Sequence, residues 1–169
     1  MKPRRIAQMV LVQAGLGERV RPILAGLTEQ IMETISLCVL DDDVAQMVER
    51  IDPDRGVIAD ALLESRMEIA HSATGRVLLA FGPVEHVESL RRRGVETPSD
   101  AELGLTRERG FALSDAAFAS ETVAIAVPVR VPGGGMLAAL SAIGPLGRFE
   151  PEASLARLQE AARTMGAVS

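Results

Sequence analysis

The chain has 169 residues, of which 47% are hydrophobic and 24% charged, and its formal net charge is -5. This length and composition suit one well-buried globular domain and exclude a disordered chain. The acidic balance argues against DNA binding through phosphates, and the absence of Trp and Tyr removes the stacking platforms that most single-strand nucleic-acid binders use.

The first half of the chain is predicted to contain a helix, a hairpin and a second helix. Apolar positions at helical spacing predict a helix over 18–33, after an apolar segment at 4–14 of helical or strand character. The pattern then predicts, in order, a strand at 35–40, an acidic turn at 41–43, a partner strand at 44–51, a turn at 53–56, an extended piece at 67–69 and a loop running into an apolar helix at 77–80.

The second half is predicted to contain two helices, a β-meander and a last helix. Pro83 is suited to begin a helix that ends near Gly94, and Ser99 to cap one that runs to Arg109 and closes at Gly110. The remaining pattern predicts strands at 111–114, 122–131 and 136–143, a Gly-rich hairpin loop at 132–135, and a helix with apolar residues at 155, 158, 162 and 165. The sum is an α+β fold with a mostly antiparallel sheet flanked by helices.

The start of the helix at 77–80 has the clearest functional signal. Its first backbone N–H groups lack intrahelical partners, and the helix dipole adds partial positive charge there, so a carboxylate or phosphate can bind. The alternative is an ordinary capped helix start with Ser72 or Thr74 as N-cap, and on the residues alone that interpretation is favoured.

The residue constellations of common hydrolases and metalloenzymes are missing. His71 and His86 do not have zinc-ligand spacing, and no Gly-x-Ser-x-Gly elbow is present. His86 is interpreted as a surface residue, whereas His71 could contact an acidic ligand or hydrogen-bond its own loop. We therefore expect no catalytic residue, no metal and no cofactor.

Localisation is predicted from the single cysteine and from the lack of targeting signals. Cys38 excludes a disulfide framework within the chain and is interpreted as a small core residue. The basic run at 91–93 is interpreted as a solvated helix face. No apolar run approaches the length of a membrane span, and no secretory signal is recognised, so we expect a soluble protein of the reducing cytoplasm with no membrane partner.

An enzyme-like pattern at the N-terminal end supports an alternative. Gly15 and Gly17, followed by a helix, a strand and Asp41, imitate the opening of a dinucleotide-binding fold. Val20 stands where the third glycine would be, and the presumed second strand enters a hairpin rather than a crossover helix. A nucleotide-dependent enzyme is therefore the weaker alternative.

Several blocks of the sequence, in this order, resemble the effector-binding domain of the IclR family of bacterial transcriptional regulators. They are LTEQIMETISL at 27–37, IAHSATGRVLLA at 69–80, RERGFA at 107–112, the strand at 123–129, and AALSAIGP at 138–145. The resemblance implies a GAF-like, profilin-like domain in which a small organic or aromatic acid binds between the sheet and the loop before the helix.

The resemblance also implies the site residues. Backbone amides of Ala73 and Thr74 would hold the carboxylate of the ligand, next to His71 and Ser72 in the same loop. The other implied positions are Met67 and Ile69 as apolar wall, Ser114 or Asp115 as a polar position, and Ala124, Ser141 and Ile143 as the floor. Members of the family that take very small polar acids can have polar residues at the positions of Ala124 and Ile143. Here both are apolar, which favours an aromatic or longer aliphatic acid.

Two further departures concern the His and the domain content. The usual His of the family is expected at Ala70, but the histidine of this chain is His71. Residues 1–16 are expected to be the remnant of a linker helix and residues 17–169 the effector-binding domain, with the winged helix-turn-helix of the family absent from this chain. DNA would then be contacted only through that missing N-terminal domain, in a homodimer or homotetramer. A structural oligomerisation module without ligand is the third hypothesis.

Overall fold

The structure of the protein, a computed structural model, describes residues 17–53, 66–114, 121–130 and 137–167. The predictions for the segment at 4–14, for most of the turn at 53–56, for the loop at 132–135 and for Asp115 concern residues outside these ranges.

The observed elements follow the predicted order within these ranges. They are α1 (Gly17–Ile31), β1 (Thr34–Asp41), β2 (Val44–Ile51), β3 (Arg66–Glu68), α2 (Ala73–Phe81), α3 (Val84–Arg92), α4 (Asp100–Arg109), β4 (Ala112–Leu113), β5 (Thr122–Arg130), β6 (Leu137–Pro145), a 3₁₀ turn (Pro151–Ser154) and α5 (Leu155–Ala167).

The six strands form one sheet in the order β3-β2-β1-β6-β5-β4, and every pairing in it is antiparallel. The α+β prediction is thereby confirmed. β1 passes directly into β2 through a hairpin, with a register irregularity between Leu37 and Cys38. A dinucleotide-binding fold needs parallel strands joined by crossover helices, so this topology contradicts the dinucleotide-binding fold that Gly15, Gly17 and Asp41 imitate.

Helices cover both faces of the sheet. On one face, α1 and α5 bury Leu24 and Leu158 in a cluster with Leu37, Ile125 and Leu140. On the other face, α2 buries Val77, Leu78 and Leu79 in a cluster with Cys38, Ala45, Met47, Ala126 and Ala139. Because successive strand residues point to opposite faces, the alternation along the strands sorts large side chains to the first face and mostly small ones to the second. Cys38 is fully buried, as predicted.

The ends of α4 lie where the capping residues predict them, whereas β6 ends later than predicted. Ser99 and Glu102 form a reciprocal capping box at the start of α4, and Gly110 closes that helix at φ 81°. β6 continues through Gly144 and Pro145, paired with Val123 and Thr122, although these two residues were expected to end the strand. Proline is tolerated there because it lies at the strand terminus.

The basic run at 91–93 is exposed, as predicted, although two of its arginines and His86 have protein partners. Arg91 is bonded to Asp100 at 2.8 Å, and Arg93 contacts both carboxylate oxygens of Asp42 at 2.9 and 3.0 Å. His86 is half-buried, and its Nε2 lies 2.9 Å from the Asp42 carbonyl oxygen. α3 therefore holds the turn between β1 and β2. Among the described residues, none of the helices is long and apolar enough to cross a membrane.

Candidate functional site

The loop between β3 and α2 folds around the side chain of Glu68. The Glu68 carboxylate accepts hydrogen bonds from the backbone N–H of Ala70 at 2.7 Å and from that of His71 at 2.9 Å. These two amides are therefore occupied by an acidic group of the protein itself. An incoming acid would have to use donors further along the chain.

Those donors are at the first turn of α2. Ser72 is the N-cap: its Oγ accepts from Gly75 N–H at 3.0 Å, and its carbonyl accepts from Arg76 N–H at 3.1 Å. The N–H groups of Ala73 and Thr74 make no hydrogen bond within the described part of the chain. Of the two expected N-caps, Ser72 is thus the one used. The helix start is both capped and left with two donors, an arrangement that suits a carboxylate.

The wall and loop side chains lie close to this helix start. Ile69 is 2% exposed, and Ala73 and Met67 belong to the same apolar cluster. Thr74 is 2% exposed and points its Oγ1 toward Met67 Sδ at 4.0 Å. β3 and α2 thus bring Met67, Ile69, Ala73 and Thr74 together, as the sequence implied.

His71 and Ser114 each have a protein partner. The Nε2 atom of His71 lies 3.0 Å from Glu96 Oε1, a contact outside its own loop. Ser114 follows β4, where its Oγ accepts from Ala124 N–H at 2.9 Å and its own N–H donates to the Ala124 carbonyl at 3.0 Å. Ser114 therefore lies beside Ala124, but its hydroxyl oxygen holds the end of a strand pair. A ligand contact of either side chain stays a prediction.

The floor residues lie at neighbouring positions on β5 and β6, next to Ser36 of β1. Ala124 of β5 pairs with Ile143 of β6, and Ser141 of β6 pairs with Ala126 of β5 and with Ser36 of β1. The Oγ atoms of Ser36 and Ser141 lie 2.7 Å apart. Ala124, Ser141 and Ile143 are thus brought together as implied, on the sheet face that α2 covers.

Sequence reasoning missed the polar residues that β1 and β2 add to this face. Besides Ser36, Thr34 donates to Asp52 at 2.9 Å, and Arg50 donates to both oxygens of the same carboxylate at 2.9 and 2.8 Å. Burial raises the pKa of Asp52, but hydrogen bonds from Arg50 and Thr34 outweigh it, so the net pKa is lowered. The period-2 alternation of β1, which puts Thr34, Ser36 and Cys38 on one face, was the available signal.

Arg76 and Arg107 fix the position of α2. Arg76 donates from Nη1 to the Leu113 carbonyl and from Nη2 to Glu102, both at 3.0 Å. Arg107 of α4 donates to the Ala80 carbonyl at 2.6 Å, near the end of α2. The helix start is therefore held by bonds to α4 and β4 as well as by its own cap.

In the described part of the chain, one open cavity lies away from this region and another borders it at Arg76. One, of about 310 Å³, is beside Glu33 and Arg148, and the other, of about 230 Å³, is beside Arg76 and Phe111. None of the predicted site residues lines either of them. We favour the α2 start over both because its unbonded donors are buried. Among the described residues, no group of three or more His, Cys, Asp or Glu is arranged to hold a metal ion.

The chain is similar to proteins of one regulator family. The family model described as bacterial transcriptional regulator IclR C-terminal matches residues 8–167. The curated relative named "Probable transcriptional regulator SauR", from Cupriavidus necator, is 28% identical over 157 residues, which are 86% of this chain and 62% of that protein. This chain thus spans less than two thirds of the length of that relative.

Solved structures agree with the family match. A crystal structure assigned to the IclR family is 28% identical with a TM-score of 0.73, over 87% of this chain and 92% of that one. An IclR homologue from Microbacterium hydrocarbonoxydans, complexed with 4-hydroxybenzoate, is 26% identical with a TM-score of 0.72, over 94% of this chain and 68% of that one. The chain belongs to the IclR family of bacterial transcriptional regulators and corresponds to its C-terminal, effector-binding domain.

Proposed function

We propose that this domain senses a small organic acid, aromatic or long aliphatic, for a bacterial transcriptional regulator. The acid would lie between the start of α2 and the sheet face formed by β1, β5 and β6. Its binding would change the arrangement of subunits in a homodimer or homotetramer. That change would in turn alter the DNA affinity of a helix-turn-helix domain of the regulator, and no catalytic step is involved.

The observation that carries the proposal is the pair of N–H groups of Ala73 and Thr74. The two residues are 1% and 2% exposed, and unpartnered donors at such depth are rare because their desolvation is costly. A carboxylate would accept from both donors and would be stabilised by the helix dipole. The ligand that best completes this helix start is therefore an anion.

Charge and polarity favour the sheet side of the loop as the position of the acid. Glu68 and Glu96, which bond to residues 70 and 71, are exposed and would repel an anion that approached from solvent. On the sheet side the floor offers Ala124 and Ile143, which suit an apolar body. The 4-hydroxybenzoate complex of the Microbacterium hydrocarbonoxydans homologue supports aromatic acids as the first class to test.

The mechanism is a population shift between two subunit arrangements. An acid can move that equilibrium only by as much as its affinities for the two arrangements differ. α2 is suited to report occupancy, because Arg76 connects it to β4 and α4. Ligand contact with Ala73 and Thr74 would thus be transmitted through elements that are already bonded together.

Thermal unfolding against a panel of aromatic and aliphatic acids tests the proposal. An acid present at about 100 times its Kd adds about 2.7 kcal/mol of stability, which is roughly 5 to 10 °C for a domain of this size. Ser141→Leu should abolish the shift because it fills the floor. Ser89→Leu, the same change on α3, should leave it intact.

The unfolding temperatures distinguish a ligand sensor from a structural oligomerisation module. A shift from one class of acid, lost in Ser141→Leu and kept in Ser89→Leu, supports a sensor and identifies the effector class. No shift from any acid favours the structural oligomerisation module. Sedimentation of the full-length regulator with and without the active acid then tests the subunit rearrangement.

A further inference from the structure

A hydroxyl pair connects two central strands on the sheet face that α2 covers. Ser36 and Ser141 are 2% and 3% exposed, and their Oγ atoms lie 2.7 Å apart. Ser141 pairs with Ala126, and the next pair along this face is Cys38 with Ala139, so none of these three offers a side-chain oxygen or nitrogen. Arg50, which pairs with Ser36 on β2, donates to both carboxylate oxygens of Asp52. In such surroundings a hydrogen-bonding site that stays unfilled is costly.

The two hydroxyls carry two hydrogens, and their mutual bond uses one of them. Cys38 lies two residues after Ser36 on the same face, and the side chain of Ser36 acts to lower the pKa of its thiol. Burial outweighs that influence and raises the pKa of Cys38 to about 12, so Cys38 is a neutral thiol. Ser141, in contrast, has Ser36 as its sole side-chain partner in the described ranges. Ser36 thus lies between Cys38 and Ser141, and Ser141 keeps a hydrogen-bonding site beyond its bond to Ser36.

We infer that Ser36 is a positioning residue that holds the Ser141 hydroxyl for a hydroxyl group of the bound acid, so that the sensor selects hydroxylated acids. The inference rests on the proposed function, because it takes Ser141 to face the ligand. Ser36 acts on Ser141 without touching the acid, and the preference for hydroxylated acids follows from that role.

Both directions of the hydrogen bond between Ser36 and Ser141 suit a ligand hydroxyl. If Ser36 donates to Ser141, the Ser141 hydrogen is available to a ligand oxygen. If the direction is reversed, Ser141 offers a lone pair to a ligand O–H. A hydroxyl group of the ligand can accept from Ser141 in the first case and donate to it in the second, whereas a methyl group of similar size can do neither. Sites built to bond a hydroxyl discriminate strongly against the analogue that lacks it.

Isothermal titration calorimetry with 4-hydroxybenzoate and 4-methylbenzoate measures this preference, because the two acids share charge and approximate size. We expect the native domain to bind the hydroxylated acid about tenfold more tightly, as one hydrogen bond would give. Ser36→Ala should lower that ratio about five- to tenfold while the affinity for 4-methylbenzoate stays unchanged. If Ser36 had only a structural role, Ser36→Ala would lower the affinity for both acids by the same factor.

Three further variants sharpen the test. Ser36→Ala introduced beside Ser141→Ala should cause no further loss of the ratio, because the two residues act as a unit. Val39→Ala perturbs the opposite face of the same strand and should leave the ratio unchanged. Ser36→Cys keeps a weak donor of similar shape, so its ratio should lie between those of the native protein and Ser36→Ala. It is also the variant to use if Ser36→Ala does not fold.

Equal binding of the two acids by the native domain, or equal weakening of both by Ser36→Ala, overturns the inference and leaves the proposed function standing. Binding of neither acid also overturns it. In that case, if any other acid in the panel raises the unfolding temperature, the proposed function stands. If no acid does, the proposed function is rejected together with the inference.

Discussion

The backbone of Gly75, in the first turn of α2, lies directly against the backbone of Ile69. A Cβ built on Gly75 would stand 2.4 Å from both the Cα and the carbonyl oxygen of Ile69, closer than any real Cβ contact. Neither of those atoms can move without displacing the loop between β3 and α2. The absence of a side chain at residue 75 therefore sets how closely the helix start approaches the wall residue of the candidate site.

Gly75→Ala should destabilise the domain by about 1–3 kcal/mol, the usual cost of overpacking, and should weaken acid binding because the loop must shift. Gly104→Ala is the matched control, since a Cβ at that position in α4 meets nothing within 4 Å. It should raise the free energy of unfolding by about 0.5–1 kcal/mol through better helix propensity. Urea unfolding of the two variants measures both effects, and equal stability of the two would contradict the close approach.

Removing the N-cap hydroxyl of α2 should affect stability and binding together. Ser72→Ala loses the bond to Gly75 N–H and should cost about 1 kcal/mol. Ser99→Ala removes the equivalent cap of α4 at a similar cost. If α2 is the ligand-binding helix start, only Ser72→Ala reduces the affinity for the acid, as calorimetry would show. A similar reduction in Ser99→Ala would attribute the effect to general destabilisation.

The ion pair between Glu33 and Arg148 should contribute more than the surface pair between Arg21 and Glu49. The Glu33 side chain is 8% exposed, and both its oxygens accept from Arg148 Nη2, at 2.9 and 3.0 Å. Arg148→Ala leaves that carboxylate buried without its partner and should cost about 1–3 kcal/mol. Arg21→Ala breaks an exposed pair and should cost about 1 kcal/mol or less. Adding Glu33→Gln to Arg148→Ala should recover part of the loss, and failure to recover any would argue against an unpaired charge as its cause.

The contact between Asp42 and Arg93 should make stability depend on pH in acid solution. The hydrogen bond from Arg93 is the main cause that lowers the pKa of Asp42, and burial opposes it only in part. Because the folded pKa lies below the unfolded value of about 3.9, the stabilisation is present above that pH and is lost as the pH falls through the folded pKa. The difference in unfolding free energy between the native domain and Arg93→Met should therefore be largest near neutral pH and shrink below about pH 4. Arg92→Met, at the exposed neighbouring residue, should show no such trend, and a difference for Arg93→Met that is constant with pH would refute the assignment.

The sequence predicted those helices and strands that are marked by alternation of apolar residues or by capping residues. The alternation of Val123, Ile125 and Val127 identified β5, and Ser99 and Gly110 identified both ends of α4. The end of β6 was predicted two residues early, because Gly144 and Pro145 are turn residues in isolation. A Cβ on Gly144 would stand 2.7 Å from the Phe149 Cβ and 2.8 Å from the Glu33 Cδ, so glycine there serves close packing within a strand. That reason depends in part on Glu33, which is distant in the chain.

In the candidate site, too, some features follow from local sequence and others depend on the tertiary structure. The donors of Ala73 and Thr74 follow from the position of a helix start, which the sequence indicates. The choice of Ser72 over Thr74 as N-cap depends on loop geometry, and the partner of His71, Glu96, is 25 residues away. The pair of Ser36 with Ser141 joins residues 105 apart, and no local pattern relates them.

The sequence by itself determined the order and type of the elements, the helix start that suits an anion and, by resemblance, the family. These features depend on periodicity, capping and turn residues, which act over a few positions. Only the tertiary structure decided that β6 lies between β1 and β5, that Ser36 meets Ser141, and that Glu68 occupies the loop amides beside the two unbonded donors. Such relationships depend on which strands become neighbours and on how closely backbones can approach, and both are settled by the packing of the whole domain.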